Sequence, residues 1–126
     1  MAVNQSIRPA AELEQFLNFV DNCTALHAYA YDEVGHEDDR LQDLLHEMEF
    51  AQDKAERNRV ATKLQRSRKN RRENKDIVLR CEKVAKFFEE PENRKALNRL
   101  RQLLGQQRKV EEYLEGKREY KPRVKE

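Results

Sequence analysis

The sequence has few residues that interrupt helices. It contains 3 Gly and 3 Pro in 126 residues and no Trp. No segment alternates apolar and polar residues in the manner of a half-buried strand. The stretches between the glycines and prolines instead place apolar residues three and four positions apart, which is the spacing of one helix face. These features exclude a β-rich fold and predict an all-α protein of long antiparallel helices.

Long apolar runs are absent as well. Charged residues make up 40% of the chain. No run approaches the roughly 20 apolar residues that a membrane span needs. The N-terminal residues also lack the apolar centre of a signal peptide. We therefore expect a cytoplasmic protein with no membrane partner.

The sequence carries no recognisable pattern for a metal or a catalytic centre. Cys23 and Cys81 form no CxxC pair, and the three histidines do not follow a metal-ligand spacing. A glycine-rich phosphate loop and a nucleophile elbow are also missing. We predict reduced cysteines that serve in packing, no metal, no cofactor and no enzymatic activity.

The chain has little material for a hydrophobic core, since hydrophobic residues account for 37% of it. A monomer of long charged helices buries too little apolar surface to offset the entropy lost in ordering them. We therefore predict self-association as a homodimer or a higher homo-oligomer. Residues 1–116 are expected to form a single helical domain. Residues 117–126, which lack an apolar period, are expected to form a C-terminal arm.

Start and stop residues predict two helices in the N-terminal half. Pro9 is tolerated in the first turn of a helix, and the helix that it opens is expected to end near Gly35. Asp38 or Asp39 then suits the N-cap of a second helix. That helix carries apolar residues at helical spacing as far as Phe50.

Two further helices are predicted in the C-terminal half. The third begins near Asp53 and runs towards Glu90, where Pro91 stops it. Pro91 also suits the first turn of a fourth helix. This helix ends at Gly105 or, alternatively, continues through it to Leu114.

The third predicted helix carries a seam at 3.5-residue spacing that is apolar at both ends and polar in its middle. Burying an Arg or an Asn in such a seam is costly unless something pairs with it. A carboxylate of the protein, water or an anionic ligand can do so, and the sequence leaves these open. The alternative is that residues 63–76 project into solvent as a charged helix. The seam consists of Val60, Leu64, Ser67, Arg71, Asn74, Val78, Cys81, Ala85 and Phe88.

Residues 54–72 are strongly basic and should attract anions. Glu56 is the only carboxylate in this stretch, which has nine basic residues. Asn58, Ala61 and Arg66 have the spacing that basic-zipper proteins place against the DNA major groove. No leucine heptad follows, so DNA binding by this helix is an alternative hypothesis.

A second resemblance covers the chain from about Leu41 to Val124. The segments LLHEME, ERNRVATKL, RRENKD, FFEEPENRKALNRLRQLLG, RKVEEY and YKPRV occur in the order found in small helical proteins of Firmicutes phages and prophages. Among these, the chain resembles the Thoeris anti-defence sponge family, which binds cyclic ADP-ribose-type signals and withholds them from the host's defence effector. The resemblance implies that this chain sequesters a small cyclic nucleotide in the host cytoplasm without degrading it.

The resemblance also implies a set of ligand-binding residues. Phe88 and Asn98 match an aromatic residue that stacks on the base and an Asn that follows about ten residues later. The arginines that bind the phosphates cannot be aligned uniquely, so four are candidates. They are Arg68 and Arg71 in the third helix, and Arg118 and Arg123 in the C-terminal arm.

Other functions remain open at this stage. The basic stretch 54–72 fits a nucleic-acid-binding protein. A helical adaptor that inhibits a host protein and a structural phage component fit the composition equally well. Salt dependence separates the first of these from a nucleotide sponge, because contacts with many phosphates weaken steeply as salt rises.

Overall fold

The structure, a computed structural model, describes residues 2–118 and 122–124. It consists of three long helices: α1 (Pro9–Glu49), α2 (Lys54–Glu89) and α3 (Pro91–Glu115). No strand occurs among the described residues. The prediction of an all-α fold is therefore confirmed.

The N-terminal half forms one helix, so the prediction of two helices separated near Gly35 is wrong. Gly35 lies inside α1 with no positive φ, and a Cβ atom there would meet nothing within 4 Å. Asp38 and Asp39 lie in the helix interior and cap nothing. Glu37 and Leu44 continue the buried face beyond the glycine. Packing of this continuous face outweighs the cost of about 1 kcal/mol for a glycine in a helix.

The predicted start of α2 is confirmed by its capping contacts. The Asp53 carboxylate accepts the backbone N–H of Glu56 at 2.8 Å, and the Glu56 carboxylate accepts the backbone N–H of Gln52 at 2.9 Å. These two contacts satisfy two backbone donors at the helix start.

The α3 helix begins at Pro91, as predicted, and continues through Gly105 to Glu115. Of the two alternatives for its end, the longer one is confirmed. Gly116 follows the last turn, and its backbone N–H donates to the carbonyl of Glu112 at 3.0 Å. Gly105 has no positive φ, so it does not adopt the left-handed conformation with which a glycine commonly ends a helix.

Contacts divide the chain into two compact units, of which the first comprises residues 1–19 and 88–126. Here the start of α1 packs antiparallel to α3. Arg8 pairs with Glu115 at one end of this contact. The buried apolar residues of the first unit are Leu17, Leu97 and Leu104.

The second unit comprises residues 20–87 and is a helical hairpin. The remainder of α1 packs antiparallel to α2, as the pairing of Glu37 with Ser67 and of Glu47 with Lys63 shows. The buried apolar residues of the second unit are Val20, Ala30, Leu44, Val60, Cys81 and Ala85.

The predicted seam of α2 is confirmed. All of the buried residues of this helix belong to it, and its other members are half-buried. The polar middle is buried along with the apolar ends. The buried members are Val60, Ser67, Asn74, Cys81 and Ala85.

Candidate anion-binding groove

Glu37 of α1 is the partner of the polar middle of the seam. Its side chain is 1% exposed, and its carboxylate accepts hydrogen bonds from the Ser67 hydroxyl and, at 3.0 Å, from the Asn70 amide. Arg40, one turn further along α1, forms an ion pair with the same carboxylate. Within the seam, Glu37 contacts only Ser67. The Arg and the Asn have other partners: Arg71 pairs with the carboxylate of Asp38, and the Asn74 amide donates to the Asn70 carbonyl of its own helix at 2.9 Å.

These contacts favour the ionised form of Glu37. Burial alone raises the pKa of the carboxyl group, but hydrogen bonds from Ser67 and Asn70 and the charge of Arg40 outweigh it. The pKa is therefore lowered from its ordinary value of 4.5. A buried carboxylate with this many donors requires one particular register of α1 against α2.

Arg71, one of the predicted phosphate-binding residues, contacts a carboxylate instead. Its Nε donates to Oδ1 of Asp38 at 2.7 Å, and its side chain is 26% exposed. A phosphate here would share the guanidinium with Asp38 or displace it. Arg68, the second candidate on α2, is exposed and forms no ion pair with the described residues.

A groove between α1 and α2 opens beside the polar middle of the seam. It has a volume of about 260 Å³, and its lining includes the basic side chains of Arg40, Lys63 and Arg66. Ser67 and Asn70 contribute polar groups to the same lining. Arg66 forms no ion pair within the described part of the chain. Since Glu37 already accepts from Ser67, Asn70 and Arg40, the guanidinium of Arg66 is the group of this lining that best suits a phosphate oxygen.

A larger groove of about 490 Å³ adjoins the first, and Lys63 lines both. Its lining includes Arg59 and the exposed ring of Phe50, together with the carboxylates of Glu47 and Glu56. The Lys63 ammonium lies 3.4 Å from the Glu47 carboxylate. Arg59, in contrast, has no ion-pair partner among the residues that the structure describes.

Together the two grooves, called the hairpin groove below, contain the kinds of chemical group that nucleotide-binding sites use. The guanidinium groups of Arg59 and Arg66 suit phosphate oxygens. The ring of Phe50, which contacts His46 edge-on with centroids 4.9 Å apart, suits stacking on a base. Carboxylates accept hydrogen bonds from ribose hydroxyls or base amino groups. The larger volume falls within the roughly 300–1,000 Å³ of small-molecule sites.

Phe88 and Asn98, which the resemblance implies as base-binding residues, lie in the first unit. The half-buried ring of Phe88 contacts Phe16 edge-on, with centroids 6.3 Å apart. Asn98 is exposed on α3 and accepts a hydrogen bond from Arg101 at 2.7 Å. Phe88 therefore has a packing role, whatever else it binds.

The arm residues Arg118 and Arg123 are exposed. The guanidinium of Arg118 lies 5.8 Å from the ring centroid of Tyr113, which is a cation–π distance. Residues 119–121 and 125–126 of the predicted arm lie outside the described residues. Each compact unit holds part of the predicted set: Arg68 and Arg71 belong to the second, and Phe88, Asn98, Arg118 and Arg123 belong to the first.

The basic stretch that borders the hairpin groove is evident from the sequence, whereas the places of Arg40 and Phe50 in its lining are not. Arg59, Lys63 and Arg66 are separated by four and three residues, so they share one side of α2 next to its seam. That spacing indicates from the sequence alone that the three side chains lie together. No such pattern marks Arg40 and Phe50, because their place in the groove depends on how α1 packs against α2.

No protein-family model, curated protein sequence or solved structure matches this chain. Among the described residues, no helix has both the length and the apolar character that crossing a membrane requires. The same residues contain no group of three or more His, Cys, Asp or Glu side chains placed to hold a metal ion.

Proposed function

We propose that this protein is a phage anti-defence protein that binds and sequesters a small cyclic nucleotide in the host cytoplasm. The ligand is of the cyclic ADP-ribose or cyclic oligonucleotide type and is not degraded. The resemblance to the Thoeris anti-defence family motivates the choice of ligand. The hairpin groove supports a binding site of this chemistry.

The observation that carries the proposal is a pair of arginines at the hairpin groove that form no ion pair with any residue the structure describes. Arg59 and Arg66 lie on the same side of α2, one in each of the two adjoining cavities, with Lys63 between them. Guanidinium groups that are not already bound to carboxylates are available to two phosphates of one ligand. The exposed ring of Phe50 lies at the same groove and completes a base-binding surface.

Self-association is part of the proposal. Leu103, Val110 and Leu114 are each about half exposed on α3. Their spacing of seven and four residues places them on one face of that helix, so a second copy of the chain is the proposed occupant. Sedimentation equilibrium tests this: we expect a dimer or larger assembly, and substitution of Leu103 and Val110 by Ser should shift it towards the monomer.

Calorimetric titration tests ligand binding. Purified protein is titrated with cyclic ADP-ribose isomers and with cyclic dinucleotides at two salt concentrations. We expect binding of one of them, with Arg59→Ala and Arg66→Ala each weakening it by roughly tenfold or more because each removes a charge-assisted contact with phosphate. Arg80→Ala is the matched control, since it removes the same charge from an exposed position of α2 outside the groove.

Three further results decide between sites and mechanisms. Weaker binding in Phe88→Ala and Asn98→Ala, with Arg59→Ala unchanged, would place the nucleotide at the residues that the resemblance implies and not at the groove. Recovery of intact nucleotide after denaturing the complex is expected for a sponge, and recovery of a cleaved product would contradict it. A lack of heat with every nucleotide would overturn the proposed function.

Duplex DNA is the second candidate, and one observation favours it. Asn58, Ala61 and Arg66, which have the basic-zipper spacing, are all exposed on α2. Binding through this helix would use many phosphates, so its affinity should fall steeply between the two salt concentrations. Binding through one or two phosphates in a groove should weaken far less as the salt concentration rises. A protein that binds only DNA in this way is not a nucleotide sponge.

A further inference from the structure

The only two cysteines face each other across the hairpin of the second unit. Glu37 of α1 packs against Ser67 of α2, and this contact fixes the register of the two antiparallel helices. Cys23 lies fourteen residues before Glu37 in α1, and Cys81 lies fourteen residues after Ser67 in α2. Equal steps in opposite directions return to facing positions in an antiparallel pair, so the register brings the two thiols together.

The thiols lie near each other and differ in accessibility. Cys81 is close enough to Cys23 to raise the pKa of its thiol. Cys81 is 6% exposed, whereas Cys23 is half-buried and so reachable from solvent. Neither forms a disulfide in the structure. This arrangement suits an accessible thiol that reacts first with an oxidant, called the entry thiol below, and a buried thiol that resolves the resulting mixed disulfide.

We propose that Cys23 and Cys81 form a reversible disulfide that clamps the helical hairpin, with a low-molecular-weight disulfide such as glutathione disulfide as the oxidant. The Cys23 thiolate attacks one sulfur of glutathione disulfide and releases one glutathione thiolate, which leaves a mixed disulfide on Cys23. The Cys81 thiolate then attacks the Cys23 sulfur and releases the second glutathione. The protein loses two electrons and two protons, and the oxidant gains both as two thiols.

The disulfide would link α1 to α2 near the end of the hairpin that is far from the turn between the two helices. The turn already joins the helices covalently at one end, and the Glu37 cluster holds the middle. A disulfide at the other end closes a loop of more than fifty residues and restricts the unfolded chain. The oxidised hairpin should therefore be more stable than the reduced one.

The rate of the reaction should depend on pH. Burial raises the pKa of the Cys23 thiol, and the neighbouring Cys81 thiol raises it further. Since only the thiolate attacks a disulfide, oxidation should be slow at neutral pH and faster at alkaline pH. A clamp that closes slowly responds to sustained oxidation of the thiol pool and not to a brief one.

Mass spectrometry of the full-length protein tests the proposal. Reduced protein is incubated with excess glutathione disulfide at neutral and alkaline pH, blocked with N-ethylmaleimide and analysed intact and after digestion. We expect a monomer that has lost two hydrogens, with the Cys23 and Cys81 peptides linked, and a thermal midpoint raised by at least ~5 °C. Dithiothreitol should return both values to those of the reduced protein. Glutathione adducts, interchain dimers or an unmodified chain at alkaline pH would overturn the proposal.

Single variants test the order of attack. In Cys81→Ala the mixed disulfide at Cys23 should accumulate, because no second thiol displaces the bound glutathione. In Cys23→Ser the buried Cys81 should stay reduced. Adduct formation at Cys81 in the second variant, at a rate equal to that at Cys23 in the first, would contradict the role of Cys23 as the entry thiol.

Discussion

Different kinds of interaction stabilise the interior of each compact unit. In the first, the buried positions are occupied by leucines, and ion pairs lie at the solvent-exposed rim. The pair of Arg108 with Glu14 has its charged atoms 3.4 Å apart, and both side chains are about half exposed. In the second unit a carboxylate, that of Glu37, lies inside the seam and is 1% exposed. The ion pairs of the first unit are exposed to solvent, whereas the second unit has a charged side chain buried between its helices.

The difference shows where the register of the helices is specified. Leucines pack well in several arrangements, and exposed ion pairs contribute about 0–1 kcal/mol. A buried carboxylate is tolerated only where its donors meet it, because an unpaired buried charge is very costly. Ser67 and Asn70 meet Glu37 in one register only. The polar seam therefore determines how the hairpin of the second unit pairs, at some cost in stability relative to an apolar seam.

Replacement of Glu37 should have the largest effect on stability. Glu37→Ala leaves the donors of Ser67, Asn70 and Arg40 without their acceptor and opens a void. We expect a loss of about 3–5 kcal/mol in the free energy of unfolding, measured by equilibrium urea denaturation followed by circular dichroism.

The control for this variant lies in the first unit. Glu14→Ala removes a carboxylate of the same kind from the exposed rim pair with Arg108. It should change the free energy of unfolding by less than about 1 kcal/mol. Equal losses in the two variants would mean that the buried carboxylate is solvated in solution, and the contrast between the two units would disappear.

Acid should remove part of the same stabilisation. The folded-state pKa of Glu37 is lowered from 4.5, so its contribution is fully present above that value. It is lost as the pH falls from the unfolded-state pKa through the lowered folded-state pKa. Thermal midpoints measured across this range should therefore fall more steeply in the wild type than in Glu37→Gln, which cannot titrate at this position.

The steeper fall has to come from Glu37 and not from exposed carboxylates. Glu82, whose pKa is lowered by a hydrogen bond from Lys86 and by its charge, titrates in both proteins and cancels in the comparison. Parallel curves for the wild type and Glu37→Gln would show that the folded protein does not discriminate between the two charge states of Glu37.

Much of the fold was predictable because it is determined locally. The start of α2 follows from the capping residues Asp53 and Glu56, and the change from α2 to α3 follows from Pro91. The seam of α2 follows from the period of its own sequence. These features need no knowledge of what packs against the helix, and the structure confirms them.

The features that were mispredicted or left open depend on contacts between distant residues. Gly35 followed by acidic residues resembles a helix end, but packing against α2 continues α1 through it. Whether a carboxylate or a ligand pairs with the polar seam could not be decided, because Glu37 is 30 residues from Ser67 in the chain. The hairpin groove was only half predictable for the same reason: α2 supplies Arg59 and Arg66 from the basic stretch, whereas α1 supplies Arg40.

The two interior glycines give the smallest predicted effect and test this explanation in both units. Gly35 and Gly105 lie within helices, are exposed, and have open space where a Cβ atom would be. If packing alone carries the helix through each glycine, then Gly35→Ala and Gly105→Ala should each stabilise the protein by about 0.5–1 kcal/mol in thermal or urea unfolding. Gly116→Ala should bring no such gain, since its Cβ would lie 3.2 Å from the carbonyl oxygen of Glu112. A loss of stability in Gly35→Ala alone would mean that α1 needs a flexible point at that position, and that the break predicted from the sequence reflects a real property of the second unit.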